Sequence, residues 1–228
     1  MKLYELSGAD DEIRFSPFVI RIKMALKHKG LDFDAIPIKF NDKSLIEPSG
    51  VKTVPVIEDN GKWLGESWDI ACYLEDIYPD KPSLFGGEMG RHQAKFINSW
   101  SDAVLVRGLF PIIVADIITH FTPEDREYFI PLREKLLGMK ISDTPKIRDK
   151  TIPKFNSSLT PLRTMLKSQP FICGPNPGYA DYSAFGPIQW ARIASPVELI
   201  KEGDPVYDWR ERMLDLFSGF ARSSKLGY

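Results

Sequence analysis

The spacing of hydrophobic residues differs between the first third of the chain and the rest. Four short apolar runs have the length and the β-favouring residues of strands: residues 2–6, 33–40, 54–58 and 62–64. Apolar positions recur with helical spacing over residues 18–29 and 68–78, which predicts two helices in the same part of the chain. The predicted order is βαβ followed by ββα, so we expect one mixed sheet with helices packed on it.

The pattern becomes purely helical after the second of these helices. Five helical segments are predicted there: residues 91–119, 123–138, one helix within 145–168, 181–193 and 205–221. Gly108 and Pro111 are expected to kink the first of them. Residues 81–88 contain Pro and Gly and are expected to form a linker. The fold class is therefore α+β, with one domain over residues 1–80 and an all-helical domain over residues 89–228.

The third and fourth predicted strands form a hairpin that carries an unusual proline. Asn60-Gly61 favours a type I′ turn, because both central residues of that turn need positive φ angles. Pro55 removes a backbone donor from its strand, so an edge or a bulge is expected there. An X-Pro peptide bond can also be cis. A cis bond at Pro55 would turn the backbone N–H and C=O of Val54 outward, free to pair with an extended peptide.

Glu66 and Ser67 stand directly before the helix predicted over residues 68–78. Ser67 is a good N-cap, and a helix N-terminus offers unpaired N–H groups and a positive dipole end to a carboxylate. Glu66 beside it can hold an ammonium group, so the pair could receive a free amino-acid head group. The alternative is that Ser67 only caps its helix and that Glu66 is a solvated surface residue.

Ser16 and Pro17 begin the first predicted helix in the same way. Ser16 is a favourable N-cap, and Pro17 occupies the first helical position, where its missing N–H has no cost. Taken alone, Ser16 is a plain cap.

Composition and charge favour a soluble globular protein, with 43% hydrophobic and 27% charged residues. The formal net charge of −1 gives no electrostatic reason to expect a nucleic-acid or membrane partner. The two cysteines, Cys72 and Cys173, form neither a disulfide framework nor a metal cluster, and both are expected to be buried. The N-terminus lacks the pattern of a signal peptide, and the longest apolar run, residues 109–118, is too short to span a membrane. A reduced, cytoplasmic location is expected.

The runs Thr53–Gly61 and Gly65–Glu75 resemble the thioredoxin-like domain of cytosolic glutathione transferases. The all-helical second part agrees with the layout of that family, so the resemblance covers essentially the whole chain. It implies a homodimer that uses glutathione as a cosubstrate and a small hydrophobic electrophile as the second substrate. It implies no bound metal or prosthetic group.

The resemblance also implies a set of glutathione-binding residues: Ser16, Lys52, Val54, Pro55, Glu66 and Ser67. Val54, as the residue before a cis proline, would pair with the cysteinyl backbone of glutathione. Glu66 and Ser67 would hold its γ-glutamyl end.

Ser16 matches the position at which this family activates the thiol with Tyr, Ser or Cys. In a Ser-type enzyme the hydroxyl donates a hydrogen bond to the thiolate and is not itself the nucleophile. A serine cannot form a mixed disulfide, and neither Cys72 nor Cys173 lies where it could substitute, so addition or displacement by glutathione is favoured over thiol transfer.

Two positions depart from the family pattern. The family often has Lys or Arg where Thr53 stands, so the glycyl carboxylate would have to meet Lys52 or Lys39. Its helix-capping box usually begins with Ser or Thr three residues before Asp181, where this chain has Gly178. Glycine is an acceptable N-cap, so a modest loss of stability is expected there.

A finer resemblance concerns the runs Phe15–Asp32 and Ala180–Ser183, which are similar to the bacterial β-aryl-etherase branch. Enzymes of that branch use glutathione to displace a phenoxide from the carbon next to a ketone. A branch resemblance does not fix a substrate.

An acceptor pocket is expected between the two domains, where ligand sites commonly lie. Its candidate walls are the first loop with Phe15 and the kinked helix with Trp100, Val104, Leu105, Gly108 and Phe110. The alternative is that these residues are core. At the level of function, the alternatives are a non-catalytic binding or scaffold protein with this fold and a disulfide or dehydroascorbate reductase, which would need a cysteine that this chain lacks.

Overall fold

The computed structural model describes residues 1–228 and contains one mixed four-stranded sheet. The strands are β1 (Lys2–Leu6), β2 (Asp34–Ile38), β3 (Val56–Asp59) and β4 (Lys62–Gly65), in the order β2-β1-β3-β4. β1 is parallel to β2 and antiparallel to β3, which in turn is antiparallel to β4. Pro37 therefore lies on an edge strand, as predicted, since an edge tolerates the missing backbone donor.

Two helices accompany the sheet, α1 (Pro17–His28) and α2 (Ser67–Ile77), with a short 3₁₀ helix over Ser44–Ser49. Of the apolar side chains that predicted α1, Ile22, Ala25 and Leu26 are buried and Phe18 is half-buried. The hairpin turns at Asn60-Gly61 with φ angles of 50° and 80°, as a type I′ turn requires. This βαβ-ββα unit is a thioredoxin-like domain.

All later elements are helical. They are α3 (Glu88–Trp100), α4 (Arg107–Ile117), α5 (Pro123–Leu137), α6 (Arg148–Ser158), α7 (Thr160–Leu166), α8 (Tyr179–Ala194) and α9 (Pro205–Gly219). The single helix expected within residues 145–168 is in fact two helices, because the chain leaves α6 at Leu159 and restarts with Pro161 in the first turn of α7. The proposed domain boundaries at residues 80 and 89 stay a prediction.

The first long helix is continuous from Glu88 to His120, but its irregularity differs from the predicted kink. A π-helical segment spans Ser101–Val106 and joins α3 to α4 before either Gly108 or Pro111 is reached. The run is long and apolar enough to cross a membrane by length and composition alone. Part of the run is buried in the helical domain, where Leu109 and Ile113 are fully covered, whereas Met89 and Phe96 near its start are exposed.

α8 lies at the centre of the molecule and packs against α1. A side chain at Gly186 would place its Cβ 2.4 Å from the backbone oxygen of Pro17, so glycine allows the two helices to approach this closely. Next to this contact the guanidinium of Arg21, 0% exposed, lies 2.6 Å from Asp102 Oδ1 in the π-helical segment. It also donates to Ser101 Oγ at 3.1 Å, so a buried polar contact joins the two domains.

Candidate functional site

The predicted functional segments lie together at one edge of the sheet. In the strand register, Leu6 pairs with Ile38, Tyr4 with Val56, and Val56 with Gly65. The ends of β1, β2 and β4 and the start of β3 therefore lie at the same edge. The segments that continue from these strands are 7–16, 39–43, 52–55 and 66–67.

Ser16 returns to this edge because the loop after β1 folds back on itself. Ser7 forms an antiparallel bridge with Arg14, and α1 begins directly after Ser16. The Ser16 hydroxyl accepts a hydrogen bond from the N–H of Val19 at 3.4 Å, and the side chain is largely buried. Since the oxygen is the acceptor in that bond, its own hydrogen is available to donate to a ligand.

The peptide bond between Val54 and Pro55 is cis, as anticipated from the sequence. Val54 lies outside β3 and is half-buried, and its backbone N–H and C=O form no hydrogen bond within the chain. An extended peptide could therefore pair with both groups, which is how strands add to a free edge.

Ser67 is not the N-cap of α2, so that prediction is wrong. Glu66 occupies the cap position with a φ angle of 65°, and Ser67 is the first helical residue and makes no capping hydrogen bond. A Ser cap needs extended backbone, but the chain turns sharply from Gly65 into the helix through a left-handed residue. The turn leaves the Glu66 side chain exposed at the N-terminus of α2, where Thr53 Oγ1 is 3.5 Å from Glu66 Oε1.

The two candidate lysines have different surroundings. Lys39 Nζ lies 2.6 Å from Asp11 Oδ1 and also donates to Ser7 Oγ at 3.3 Å, so it fixes the loop after β1. Lys52 is exposed and forms no ion pair within the chain. Of the two, Lys52 is therefore the one free to meet a carboxylate.

The residues predicted to wall an acceptor pocket differ in how deeply they are buried. Phe15 is buried in the core, where its ring lies 5.6 Å from that of Phe121, and Gly108 faces the ring of Phe155 on α6. Both residues pack against neighbouring elements, so they do not form an open pocket wall in this structure. Trp100 and Val104 are half-buried at the end of α3 and in the π-helical segment.

Leu105 and Phe110, the other two candidates on this helix, also contact other parts of the helical domain. Leu105 is fully buried, and the Phe110 ring stacks on Trp190 with the ring centroids 6.4 Å apart.

Contacts with the distant end of the chain were missed from the sequence. The backbone oxygen of His120 accepts from Ala9 N at 2.6 Å, and the His120 ring packs on Phe15 and against Gly227. Lys225 Nζ lies 2.7 Å from a carboxylate oxygen of Asp10. No local pattern signals these contacts, because they join residues that lie more than 100 positions apart in the sequence.

The cysteines take no part in this site. Cys173 is exposed, so the expectation that it is buried is wrong, while Cys72 is half-buried in α2. Burial raises the pKa of the Cys72 thiol above its usual range, which disfavours the reactive thiolate.

Comparison with protein-family models identifies both parts of the chain. Residues 12–82 match the model for the glutathione S-transferase N-terminal domain, and residues 93–213 match that for the C-terminal domain. The chain therefore belongs to the glutathione S-transferase family, a family of transferases that use glutathione as a cosubstrate.

Individual relatives agree with this assignment. The chain is 29% identical to glutathione S-transferase U22 of Arabidopsis thaliana over 77% of its own length and 69% of that protein. Its fold is similar to that of glutathione transferase GSTFuA3 from Phanerochaete chrysosporium, with a TM-score of 0.77, 22% identity, and coverage of 97% and 93% of the two chains.

A second fungal structure is similar to the same degree. This is the glutathione S-transferase CsGST63524 of Ceriporiopsis subvermispora in complex with glutathione, with a TM-score of 0.76 and 23% identity. The match covers 98% of this chain and 94% of that one.

Proposed function

We propose that this protein is a Ser-type glutathione transferase in which Ser16 activates the thiol of bound glutathione. The observation that carries the proposal is the convergence of three groups at one sheet edge. These are a hydroxyl at the N-terminus of α1, the unpaired backbone of Val54 before a cis proline, and the exposed Glu66 carboxylate at the N-terminus of α2. They match the thiol, the cysteinyl backbone and the ammonium group of glutathione.

The proposed role of Ser16 is to lower the pKa of the bound thiol. A free thiol has a pKa of about 8.5, so only a small fraction is thiolate at neutral pH. A hydrogen bond from Ser16 and the positive end of α1 both favour the charged form. Lowering the thiol pKa by about two units would require about 2.7 kcal/mol of stabilisation of the thiolate.

The remaining contacts would orient the tripeptide. Glu66 would accept from the γ-glutamyl ammonium, and backbone N–H groups at the start of α2, beginning with Ser67, would receive its carboxylate. Lys52, exposed and unpaired, would meet the glycyl carboxylate, and Pro55 would hold Val54 in place.

The electrophile in this proposal is apolar and aromatic, and an aryl ether is the particular case that the resemblance to the β-aryl-etherase branch suggests. The thiolate sulfur would attack the carbon that carries the aryloxy group. A carbon–sulfur bond would form, the carbon–oxygen bond would break, and the released phenoxide would take up a proton from water. Trp100 and Val104 remain the candidates for the acceptor wall.

Calorimetric titration with glutathione tests the receptor part of the proposal. We expect saturable binding that becomes about tenfold weaker in Glu66→Gln, because the acceptor that faces the ammonium group loses its negative charge. Glu47→Gln, which changes an exposed glutamate on the neighbouring 3₁₀ helix, is the matched control. Equal affinity in wild type and Glu66→Gln would remove Glu66 from the site.

A non-catalytic binding protein with this fold is the second candidate, and catalysis distinguishes it from the first. The transferase hypothesis predicts that the protein forms conjugates of glutathione with at least one member of a panel of aryl ethers and activated aryl halides. Binding of glutathione without any conjugation would favour the binding protein, and absence of glutathione binding would favour a scaffold role. A homodimer and a cytoplasmic location belong to the transferase proposal.

A further inference from the structure

A buried cluster of polar side chains lies where α1, α3 and α8 meet, and it reaches the start of α2. Each side chain of the cluster is at most 5% exposed, and none is among the six residues proposed to bind glutathione. Buried polar groups are unfavourable unless they bond to one another, so a satisfied cluster favours one arrangement of the elements that carry it. Its members are Arg21 on α1, Asn98 on α3, Ser101 in the π-helical segment, and Tyr179 and Ser183 on α8.

Asn98 lies at the centre of this cluster. Its Oδ1 accepts from Arg21 Nη1 at 3.3 Å and from Ser183 Oγ at 3.2 Å. Ser101, which accepts from Arg21, donates in turn to the backbone oxygen of Ser183 at 2.8 Å. The helix that begins after Ser16 is therefore bonded to both α3 and α8.

Tyr179 connects the same cluster to α2. Its hydroxyl oxygen lies 3.1 Å from the backbone oxygen of Ser67 and 3.5 Å from Asn98 Oδ1. Burial raises the pKa of Tyr179 above its usual range, so the hydroxyl stays protonated and can donate. Since a hydroxyl has one hydrogen and the Ser67 oxygen is the nearer acceptor, the donated bond goes to Ser67.

The Tyr179 ring is held in place without the help of its hydroxyl. The ring packs edge-on against Trp68 and Phe85, with centroids 5.7 Å and 5.5 Å away, and the Tyr179 N–H donates to the Leu84 oxygen at 2.8 Å. Removing the hydroxyl alone therefore leaves the ring where it is. Because the ring is fixed, its hydroxyl in turn fixes the first peptide of α2.

We propose that Tyr179 is a positioning residue for the γ-glutamyl end of glutathione. Ser67 is the first residue of α2, and Glu66 precedes it in a left-handed conformation. The directions of the Ser67 N–H and of the Glu66 carboxylate therefore depend on where this first turn lies, and the Tyr179 hydroxyl holds it against α8. Tyr179 is fully buried, so it acts through Ser67 and does not touch the ligand. The inference rests on the proposed function, because it concerns the same site.

Calorimetric titration with glutathione tests this role in wild type, Tyr179→Phe and Tyr182→Phe. Tyr182 is the matched control, because it is equally buried on α8 and its hydroxyl lies 2.6 Å from His28 Nδ1 on α1. We expect glutathione to bind about fivefold more weakly to Tyr179→Phe, which loses one hydrogen bond, and with wild-type affinity to Tyr182→Phe. Equal affinity in all three proteins, or the same loss in both variants, would overturn the positioning role.

The pKa of the bound thiol distinguishes positioning at α2 from a general loosening of the site. Because Ser16 lies at α1, we expect the thiol pKa to be the same in wild type and Tyr179→Phe. The affinity losses of Tyr179→Phe and Glu66→Gln are expected to be less than additive when the two are combined, since both act on the γ-glutamyl end. A raised thiol pKa in Tyr179→Phe or full additivity would overturn the assignment to that end.

Failure of the proposed function gives a different result from failure of this inference. Without the proposed function, wild type would not bind glutathione, and both proposals would be overturned. If only the positioning role is wrong, wild type binds glutathione and Tyr179→Phe binds it equally well.

Discussion

At the residue scale, Gly178 shows why a departure from a family pattern can be structural. A Cβ atom at this position would lie 2.8 Å from Cys173 Sγ and 3.0 Å from the backbone oxygen of Leu84. The backbone there is extended, so the glycine is required by space and not by its φ angle. A serine would bring a capping hydroxyl but would first have to displace these neighbours.

This packing gives a prediction that opposes the usual ranking of N-caps. Gly178→Ser is expected to lower the free energy of unfolding by about 1–3 kcal/mol, the range for overpacked sites. Urea unfolding measures it, and the Cys173→Ala background should recover part of the loss because the sulfur is removed. A more stable Gly178→Ser protein would show that the cap hydroxyl outweighs the contact.

His28 at the end of α1 makes stability depend on pH. Burial lowers the pKa of His28 below its usual range, and its Nδ1 lies 2.6 Å from the hydroxyl of Tyr182. Below the unfolded-state pKa of about 6.5 the unfolded chain binds a proton that the folded chain does not, so stability falls as the pH falls.

The corresponding experiment compares urea unfolding of wild type and His28→Gln at pH 7.5 and pH 5.5. We expect the wild type to lose more stability between the two values than the variant does. His92→Gln, which removes an exposed histidine from α3, is the control. An equal pH dependence in wild type and His28→Gln would contradict the account.

At the element scale, Asp181 holds the start of α8 to two other parts of the helical domain. Its carboxylate accepts four hydrogen bonds, from Ile172 N, Cys173 N, Gly178 N and Trp209 Nε1, at 2.7–3.1 Å. The side chain is fully buried, so water cannot reach these four donors if the carboxylate is removed. Asp181 therefore still accepts the hydrogen bond from the cap residue's N–H, although that residue, Gly178, has no hydroxyl to complete the capping box.

Replacing Asp181 by Asn leaves one acceptor oxygen and turns an N–H₂ group toward backbone donors. We expect a loss of about 1–3 kcal/mol in the free energy of unfolding, the cost of leaving a buried hydrogen-bond donor without its acceptor. Chemical denaturation measures it, with Asp149→Asn on the surface of α6 as the control. A loss below about 1 kcal/mol would mean that the amide satisfies the same donors as the carboxylate.

At the scale of the whole molecule, the exposed apolar side chains indicate where a second chain could pack. Met89 and Phe96 lie seven residues apart on the same face of α3 and are 76% and 72% exposed. Ile77 on α2 is 52% exposed. An apolar surface of this kind is a usual mark of an interaction site.

If these residues form the dimer interface, Phe96→Glu should shift the protein from dimer to monomer in sedimentation analysis at micromolar concentration. Leu136→Glu changes a side chain of similar exposure on α5 and should leave the dimer intact. A dimer that persists in Phe96→Glu and dissociates in Leu136→Glu would place the interface on α5.

The sequence was informative where structure follows from local spacing. Every strand was found, because period-two and turn signals lie within a few residues. The cis bond before Pro55 was raised as an option of any X-Pro bond and was implied by the family resemblance. The predictions that failed concern features that depend on how separate elements pack together. The π-helical segment around Asp102 accompanies its contact with Arg21 across the domain interface, and the left-handed Glu66 follows from how β4 enters α2. Neither is encoded by neighbouring residues alone.

In the proposed function, Ser16 stabilises the thiolate of bound glutathione. The most direct measurement is the ultraviolet absorbance of the thiolate as a function of pH, with glutathione bound to wild type, to Ser16→Ala, and to Thr122→Ala. Thr122 caps α5 in the same way, through Asp125 N at 3.1 Å, and lies outside the site, so it controls for the loss of a helix cap.

We expect binding to lower the thiol pKa in wild type and in Thr122→Ala, and we expect Ser16→Ala to lose most of that fall. A bound thiol whose pKa is the same in wild type and Ser16→Ala would leave Ser16 as a helix cap only.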